Sequence, residues 1–434
     1  IKDAFFAVQK VGPVLKPTSN GIIVTVSRID GAFGLLNPTK TIDPIQGALS
    51  GITKTISHEW PEITARAIDL DYRFKDQDAA AERLFNEIIH EGPLETGITR
   101  SNRFELKEKT ESITENSDTA FTLDEQDNII VTGGARGVTA ATATAFAKRF
   151  KTGMILIGRS AMPSEEPEWL INLKEEAEIK SAILKNASNK LSPRELEAEY
   201  KRITSNREIL QTINQIRETG SKVRYFSANI RDSKEIAKII DQVRQQNGKI
   251  SGIIHGAGIL RDKRIEDKTR DQLDDVIDTK IKGLRNLLQP LIKDELKTII
   301  LFSSFSGRYG RSGQVDYAMA NEALNKIAHK VKILKPDCRV KSFNWGPWDG
   351  GMVTPALRNV FLAEGIGLIP LDLGARHPLI ELSHDDDSAT EIGIIGIARK
   401  TEEKEPSSGK KLYKAFDYEL RLESNAWIKD HVIN

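Results

Sequence analysis

The chain has one cysteine, Cys338, in 434 residues, which excludes an internal disulfide and any multi-cysteine zinc site. That fits a reducing, cytoplasmic compartment, with Cys338 expected as a buried spectator thiol. Neither sign of charge is in excess: Lys and Arg number 63 against 62 Asp and Glu, a formal net of +1. No global field therefore favours nucleic acid or an anionic membrane as partner. No apolar run approaches the roughly 18 residues that span a bilayer, and residues 1–11 lack a signal-peptide layout. A metal-binding motif is missing too, among only seven histidines. The chain does not begin with Met and is expected to be cut from something longer. What is present, 39% hydrophobic and 29% charged residues, describes a globular chain with room for two or three domains.

Composition divides the chain. From Ala4 to about Leu106, short apolar runs (21–26, 67–70) alternate with helical patterns (44–60, 79–90), a small α/β unit. Residues 107–127 are polar and read as a linker. A longer α/β series follows, with strand-sized runs at 129–131, 154–157, 223–226, 252–255, 298–302 and 340–344, most of them separated by helix-length segments. That is the recipe for a parallel, doubly wound sheet. The expected boundaries are 1–118, 119–400 and 401–434, the last beginning with a Lys/Glu/Ser-rich hinge. Between Arg159 and Lys222 the chain is too long for one strand-helix-strand unit. The excess, about 163–206, reads as an inserted helical pair, with a helix start at Ser192 to Glu195. It is either a solvated charged appendage or a docking surface for a neighbouring domain.

A faint internal repeat links the two series. Residues 24–27, Gly31 to Gly34, a helix from Pro44 and the strand 67–70 follow the order of residues 302–304, Gly307 to Gly310, the Tyr317 helix and the strand 340–344. Where the second copy places Tyr317 and Asn321, the first has the apolar and small residues 45–50. A helix without an acid there packs a sheet but donates no proton.

The strand 129–131 runs into Thr132, Gly133, Gly134, Ala135, Arg136, Gly137 and Val138, then an alanine-rich helix. Glycines at 133, 134 and 137 let the backbone approach a pyrophosphate, and the helix N-terminus supplies free N–H groups. Such turns also occur without ligands. The next strand ends in Gly158, Arg159 and Ser160, where an acidic residue would bond a ribose diol. Arg159 instead favours a 2′-phosphate, hence NADPH, with Arg136 as a second contact; the other reading is a solvated arginine at a strand end. Gly256, Ala257 and Gly258 close a later strand with small residues, as a backbone lying against a nicotinamide ribose requires. The neighbouring His255 reads as structural. Ser304 closes the next strand, and Tyr317 and Asn321 lie one helical turn apart on one face. An upstream Lys280 completes the set.

With these residues the sequence resembles the short-chain dehydrogenase/reductase superfamily, and more closely the ketoreductase domains of polyketide and polyunsaturated fatty acid synthases. The resemblance covers nearly the whole chain. It implies two Rossmann-like doubly wound parallel-sheet subdomains, the first degenerate and structural, the second catalytic with a helical insertion. Lys280 in residues 280–283 resembles the family's lysine motif, Asn321 takes the later position, and residues 344–352 resemble its cofactor-covering loop. Asn229, Ile230, Pro347 and Trp348 join the expected cofactor residues. Thr139 departs from the pattern, standing where the family usually has a third glycine.

The implied activity is NADPH-dependent reduction of a β-ketoacyl thioester on an acyl carrier protein. Tyr317 donates the proton, with its pKa, about 10 when free, lowered by Lys280. Ser304 bonds the carbonyl oxygen, and Asn321 holds Lys280 or a relay water. The hydride comes from the nicotinamide, so no metal is needed. In this family a Leu-Asp-Asp motif goes with one direction of substrate approach and a Trp before the tyrosine with the other. Here Asp262 keeps the final acid of that motif, Arg261 replaces its middle residue, and Tyr309 takes the Trp position. With Met352 these are the expected substrate-orienting residues, and the expectation is the 3R alcohol. Residues 424–434, including His431, resemble the opening of a dehydratase, a neighbouring synthase domain. Two other readings stay open: a catalytically inactive structural scaffold, and a reductase or epimerase of free small molecules. An intact Lys280, Ser304, Tyr317 and Asn321 argue against the first; the structural half and the dehydratase-like tail argue against the second.

Overall fold

The computed structural model describes residues 1–18, 20–36, 39–110, 121–384, 387, 389–397 and 413–422, the last ten as backbone. Among them, thirteen strands form one sheet. In chain order they are β1 (Ile22–Ser27), β2 (Thr64–Leu70), β3 (Glu95–Ile98), β4 (Arg103–Thr110), β5 (Asn128–Thr132), β6 (Gly153–Gly158) and β7 (Val223–Ser227). Then follow β8 (Ile250–His255), β9 (Thr298–Ser304), β10 (Arg339–Trp345), β11 (Ile366–Gly367), β12 (Glu391–Ile397) and β13 (Tyr413–Leu422). Across the sheet the order is β1-β2-β3-β4-β13-β12-β10-β9-β8-β5-β6-β7, with β11 on β12. From β12 to β7 all pairings are parallel.

A parallel sheet must be covered on both faces, and side chains that alternate along each strand do this. Ile129, Val131, Met154, Leu156, Ile254 and Ile300 join one core; Ile130, Ile155, Ile157, Ile253 and Ile299 join the other. The fold is α/β and Rossmann-like, as the strand-sized apolar runs imply. Among the described residues no helix is long and apolar enough to cross a membrane.

The first half repeats the plan in miniature: β1, β2 and β3 are parallel and β4 turns back on β3. Its helix Ala48–Glu59 packs on the second-half helix Val315–Leu334, so tightly at Gly51 that a Cβ there would lie 2.7 Å from the Met319 nitrogen. A third core fills this seam, with Phe5, Ile52, Ile56 and Trp60 against Val276, Ile281, Val315, Tyr317 and Met319.

Three boundaries differ from the sequence expectation. The polar stretch 107–127 is not all linker, because β4 runs to Thr110 and Phe121 and Leu123 enter the main core; the boundary at 118/119 lies outside the described residues. Residues 413–422, within the segment expected as linker and dehydratase-like start, are a strand of this sheet: β13, antiparallel to both β4 and β12, sews the two parallel stacks into one sheet. Residues 401–412 and the dehydratase-like stretch 423–434 with His431 lie outside the described residues. The inserted pair is the helix Glu176–Asn186 and the first half of Pro193–Glu218, started by a Ser192/Glu195 capping box. That second helix runs on without a break: Ile203 closes a small core with Leu170, Ile179 and Ile183, while Ile209, Ile213 and Ile216 enter the main core.

Candidate active site

Where β5 ends, the glycines have separate tasks. Gly133 (φ +69°) and Gly137 (φ +61°) take left-handed conformations that let the chain turn into the helix Gly137–Phe150. A Cβ on Gly133 would come within 3.0 Å of Gly256 and Ala257, so the two strand ends meet backbone to backbone. Gly134 lies under the turn against Val131. The missing third glycine has a local compensation: a Cβ on Gly256 would fall 2.2 Å from the Thr139 hydroxyl. Thr139 occupies the room that Gly256 leaves.

This turn forms one wall of a cleft of about 690 Å³, lined among others by Thr132, Gly133, Ala135, Arg136, Gly137, Val138, Arg159, Ser160, Ile230, Gly256, Ala257, Gly258 and Met352. Arg159 is exposed at the end of β6, and the Arg136 guanidinium bonds Ser205 on the long insertion helix. Glu208 and Ile209 of that helix also line the cleft; sequence reading missed them, since a residue on the far side of an insertion carries no motif. Besides Gly134, three expected cofactor residues do not line it. Asn229 shapes the turn after β7, accepting from the Arg231 N–H at 3.1 Å. The Pro347 carbonyl accepts from the Ile369 N–H, and Trp348 is buried with its ring centroid 4.6 Å from that of Trp345. Both lie on the inner side of the 344–352 loop, where the Trp348 ring packs against Trp345 in the core.

Lys280 and Tyr317 come together at the inner end. Lys280 lies in a π-helical turn, Asp278–Lys282, the kind of irregularity that re-aims a side chain. Its Nζ donates to the Phe302 carbonyl at 2.8 Å and lies 5.3 Å from the Tyr317 ring centroid. A Cβ on Gly258 would touch its Cε at 3.1 Å, which places the lysine directly behind the cleft wall. Burial pushes the ammonium down to about 7 and the Tyr317 phenol up to about 12, the latter opposed by the Asn321 side chain and reinforced by Asp262. The shift is opposite to the expected direction, because desolvation of the buried phenol is its largest cause. Asn321 does not hold Lys280: its amide donates to the Tyr317 carbonyl at 2.9 Å, while its Oδ1 is buried without a partner among the described residues. Ser304 ends β9, and its hydroxyl oxygen accepts from the Ser306 N–H at 3.2 Å.

Two buried groups support the set. His255 has its Nδ1 2.8 Å from the Thr132 hydroxyl and its Nε2 2.9 Å from the Lys280 carbonyl. A carbonyl only accepts, so Nε2 carries the proton and Nδ1 accepts. Burial, helped by Lys280, lowers its pKa to about 3, so it is a neutral strut between the glycine turn and the lysine segment. Beneath Tyr317, Asp316 pairs with Lys268 at 2.8 Å and accepts the Tyr317 N–H. Asp262, one of the expected substrate-orienting residues, accepts from Gln314 Nε2 at 3.0 Å. Tyr309 stacks on Phe305 and hydrogen-bonds Glu108.

Residues 128–350 match the family described as KR domain. The chain belongs to the KR domain family. It is 32% identical over 96% of its length to a polyunsaturated fatty acid synthase polypeptide of Thraustochytrium sp., of which it spans 15%. It is 25% identical over 75% of its length to the polyketide synthase PksL of Bacillus subtilis, of which it spans 6%. Among solved structures, the ketoreductase from the first module of phoslactomycin biosynthesis in Streptomyces sp. HK803 superposes with a TM-score of 0.70. That match covers 91% of this chain and 79% of the other at 18% identity. A ketoreductase domain from the bacillaene assembly line gives 0.67, covering 91% and 82% at 21% identity. This KR domain is therefore an oxidoreductase of the short-chain dehydrogenase/reductase type, which uses a nicotinamide cofactor, and its relatives place such domains inside large multidomain synthases. The cleft wall of Gly133, Gly137, Gly256 and Gly258, which carries no side chains at those positions, fits a dinucleotide.

Proposed function

We propose that this KR domain, residues 119–400 borne on a structural half of residues 1–118, reduces a β-ketoacyl thioester on an acyl carrier protein to the 3R-hydroxyacyl thioester with NADPH. The observation that carries the reading is the pairing of a buried lysine and a buried tyrosine behind the glycine-lined cleft. The glycine turn and the helix N-terminus would hold the pyrophosphate, and Arg159 and Arg136 the 2′-phosphate. When bound, the nicotinamide supplies the hydride. Tyr317, held up near 12, keeps its proton at neutral pH and is in the right state to give it to the developing alkoxide. Ser304, whose oxygen already accepts from Ser306, keeps its O–H free to donate to the same carbonyl oxygen. Lys280 offsets negative charge as it forms on the phenol oxygen. The cytoplasm suits the single thiol, Cys338, which burial pushes up to about 12 and leaves unreactive.

The 3R assignment is supported by the side on which the groove is ordered. Asp262 is tied to Gln314, three residues before Tyr317, whereas Tyr309 is drawn away to Glu108. Incubation of the chain with NADPH and a β-ketoacyl thioester, followed by chiral chromatography, tests both claims: no reduction refutes the activity, and a predominantly 3S product refutes the role given to Asp262.

A further inference from the structure

We infer that Glu59, a residue of the first half, is a positioning residue for the substrate groove of the second: it fixes the separation of the Asp262 loop and the loop leading into Tyr317, and so the ketone face that is reduced. The selectivity part of this rests on the proposed reduction. Glu59 is the last residue of the helix Ala48–Glu59 and is buried. One carboxylate oxygen, Oε1, accepts the Gly313 N–H at 2.6 Å; the other, Oε2, accepts the Ile265 N–H at 2.8 Å. Gly313 lies four residues before Tyr317 and Ile265 three after Asp262. The same two loops meet directly where the Lys263 N–H donates to the Gly313 carbonyl at 2.9 Å and Gln314 donates to Asp262. A single rigid carboxylate therefore spans the groove's two rims.

Stability alone gives little reason for an acid there. A buried carboxylate at the negative end of a helix dipole meets two penalties, desolvation and like charge, and only the two N–H donors offset them. Neighbouring contacts show what the offset accomplishes, because the first half grips the whole stretch between Ser304 and Tyr317. Lys54 donates to the Gly307 carbonyl at 3.1 Å and pairs with Glu95 at 2.9 Å, and Glu95 in turn pairs with Arg308. His58 Nε2 donates to the Tyr309 carbonyl at 2.9 Å, and Glu108 holds the Tyr309 hydroxyl. A Cβ on Gly310 would fall 2.5 Å from the Lys54 backbone. None of these first-half residues lines the cofactor cleft; their targets are the rims of the substrate groove.

The test is Glu59→Gln in the full chain, which keeps the shape but turns one acceptor into a donor facing a backbone N–H. Glu59→Gln should leave the NADPH dissociation constant within about twofold and lower the enantiomer ratio of the product roughly tenfold, as loss of one charge-assisted bond implies. Amide hydrogen exchange should rise together in residues 259–265 and 311–314 but not in the glycine turn. Ile52→Val, in the apolar seam, should lower the melting temperature and leave the enantiomer ratio unchanged. An unchanged ratio or unchanged exchange in Glu59→Gln overturns the inference, as does an equal loss of selectivity in Ile52→Val. Should the unmodified chain reduce no ketoacyl thioester, the proposed function fails, and the exchange pattern, which needs no turnover, still decides whether Glu59 holds the two rims.

Discussion

Replacing Gly256 by alanine puts the Thr139 compensation to a quantitative test. The added methyl would sit 2.2 Å from the Thr139 hydroxyl oxygen, 2.6 Å from its Cγ2 and 2.9 Å from its Cβ. Gly256 cannot retreat, since its N–H donates to the Thr132 carbonyl at 3.0 Å and its backbone lies against Gly133. Either the helix Gly137–Phe150 shifts or the glycine turn opens, and both displace the N–H groups that face the cleft. Overpacking of this kind costs about 1–3 kcal/mol, and as 1.4 kcal/mol is a factor of ten, NADPH affinity should fall between about fivefold and a hundredfold. Thr139→Gly alone should cost only about 0.3 kcal/mol of stability through helix propensity, since threonine is itself a poor helix former. Combined with Gly256→Ala, it should restore most of the affinity, because the methyl then has room. Thr139→Ala should rescue in part, since its Cβ keeps the 2.9 Å contact. NADPH fluorescence titration and thermal melting of the four variants complete the cycle. Wild-type affinity in Gly256→Ala, or purely additive effects in the double variant, would refute the argument that Thr139 occupies the space left by Gly256.

Tyr317→Phe should lower turnover by about 10²- to 10⁴-fold while circular dichroism and NADPH affinity stay near wild type, because only the proton donor is removed; a variant with most of its activity shows that another group is the acid. In wild type NADPH should bind at least tenfold tighter than NADH, and Arg159→Ala should narrow that gap by removing charge-assisted bonds worth about 1.5–3 kcal/mol each; equal affinities in the unmutated chain would contradict this. Lys280→Met should abolish most activity yet raise the melting temperature. The native ammonium titrates at about 7 against about 10.4 when unfolded, so between those pH values the unfolded chain binds more protons and wild-type stability rises with pH. The variant's advantage should be largest at or below pH 7 and shrink by at most about 1.4 kcal/mol per unit as pH rises towards 10; a constant gap would mean that burial of the charge is not its cause.

The sequence displays these parts unevenly. The parallel sheet is readable because its strands are buried on both faces and so appear as short continuous apolar runs, and the insertion helix because a Ser-Pro-x-Glu start is a local signal. The strand β13 has an equally local signal, with Phe416, Tyr418, Leu420 and Leu422 alternating with charged residues, but it follows a Lys/Glu/Ser-rich stretch that invites a linker reading. In the site, residue types and order are enough to bring Lys280, Ser304 and Tyr317 forward as candidates. What they cannot supply is the environment: the π-helical turn that aims Lys280, the desolvation that sends the Tyr317 pKa up instead of down, and the inward rotation of Trp348. Thr139 and Gly256 are more than a hundred residues apart in the chain, and Glu59 more than two hundred from Gly313. No spacing rule connects such pairs, because the first exists only once β5 and β8 have paired within one half and the second only once the two halves have packed.

In the first half a side chain lies where an α/β sheet offers its ligand crevice. In open α/β sheets, ligands bind in the crevice beyond the carboxyl ends of the strands. In the first half that crevice is filled by Asp69, near the end of β2. Its carboxylate accepts the N–H groups of Ile29, Gly31 and Phe33 at 2.8, 2.8 and 2.9 Å, those of Asp30 and Ala32 at 3.1 and 3.0 Å, and the Ser27 hydroxyl at 2.7 Å. Gly31 (φ +76°) and Phe33 (φ +55°) take left-handed conformations that turn successive N–H groups inward. This is an anion nest whose occupant is part of the chain, and a tethered carboxylate has an effective concentration that an external phosphate cannot match. The catalytic half leaves the corresponding backbone bare at Gly133, Gly137 and Gly256. One half is thus closed by its own side chain and free to serve as a rigid frame, and the frame's polar contacts, from Lys54 to Glu108, end on the segment that the open half uses to shape its substrate groove.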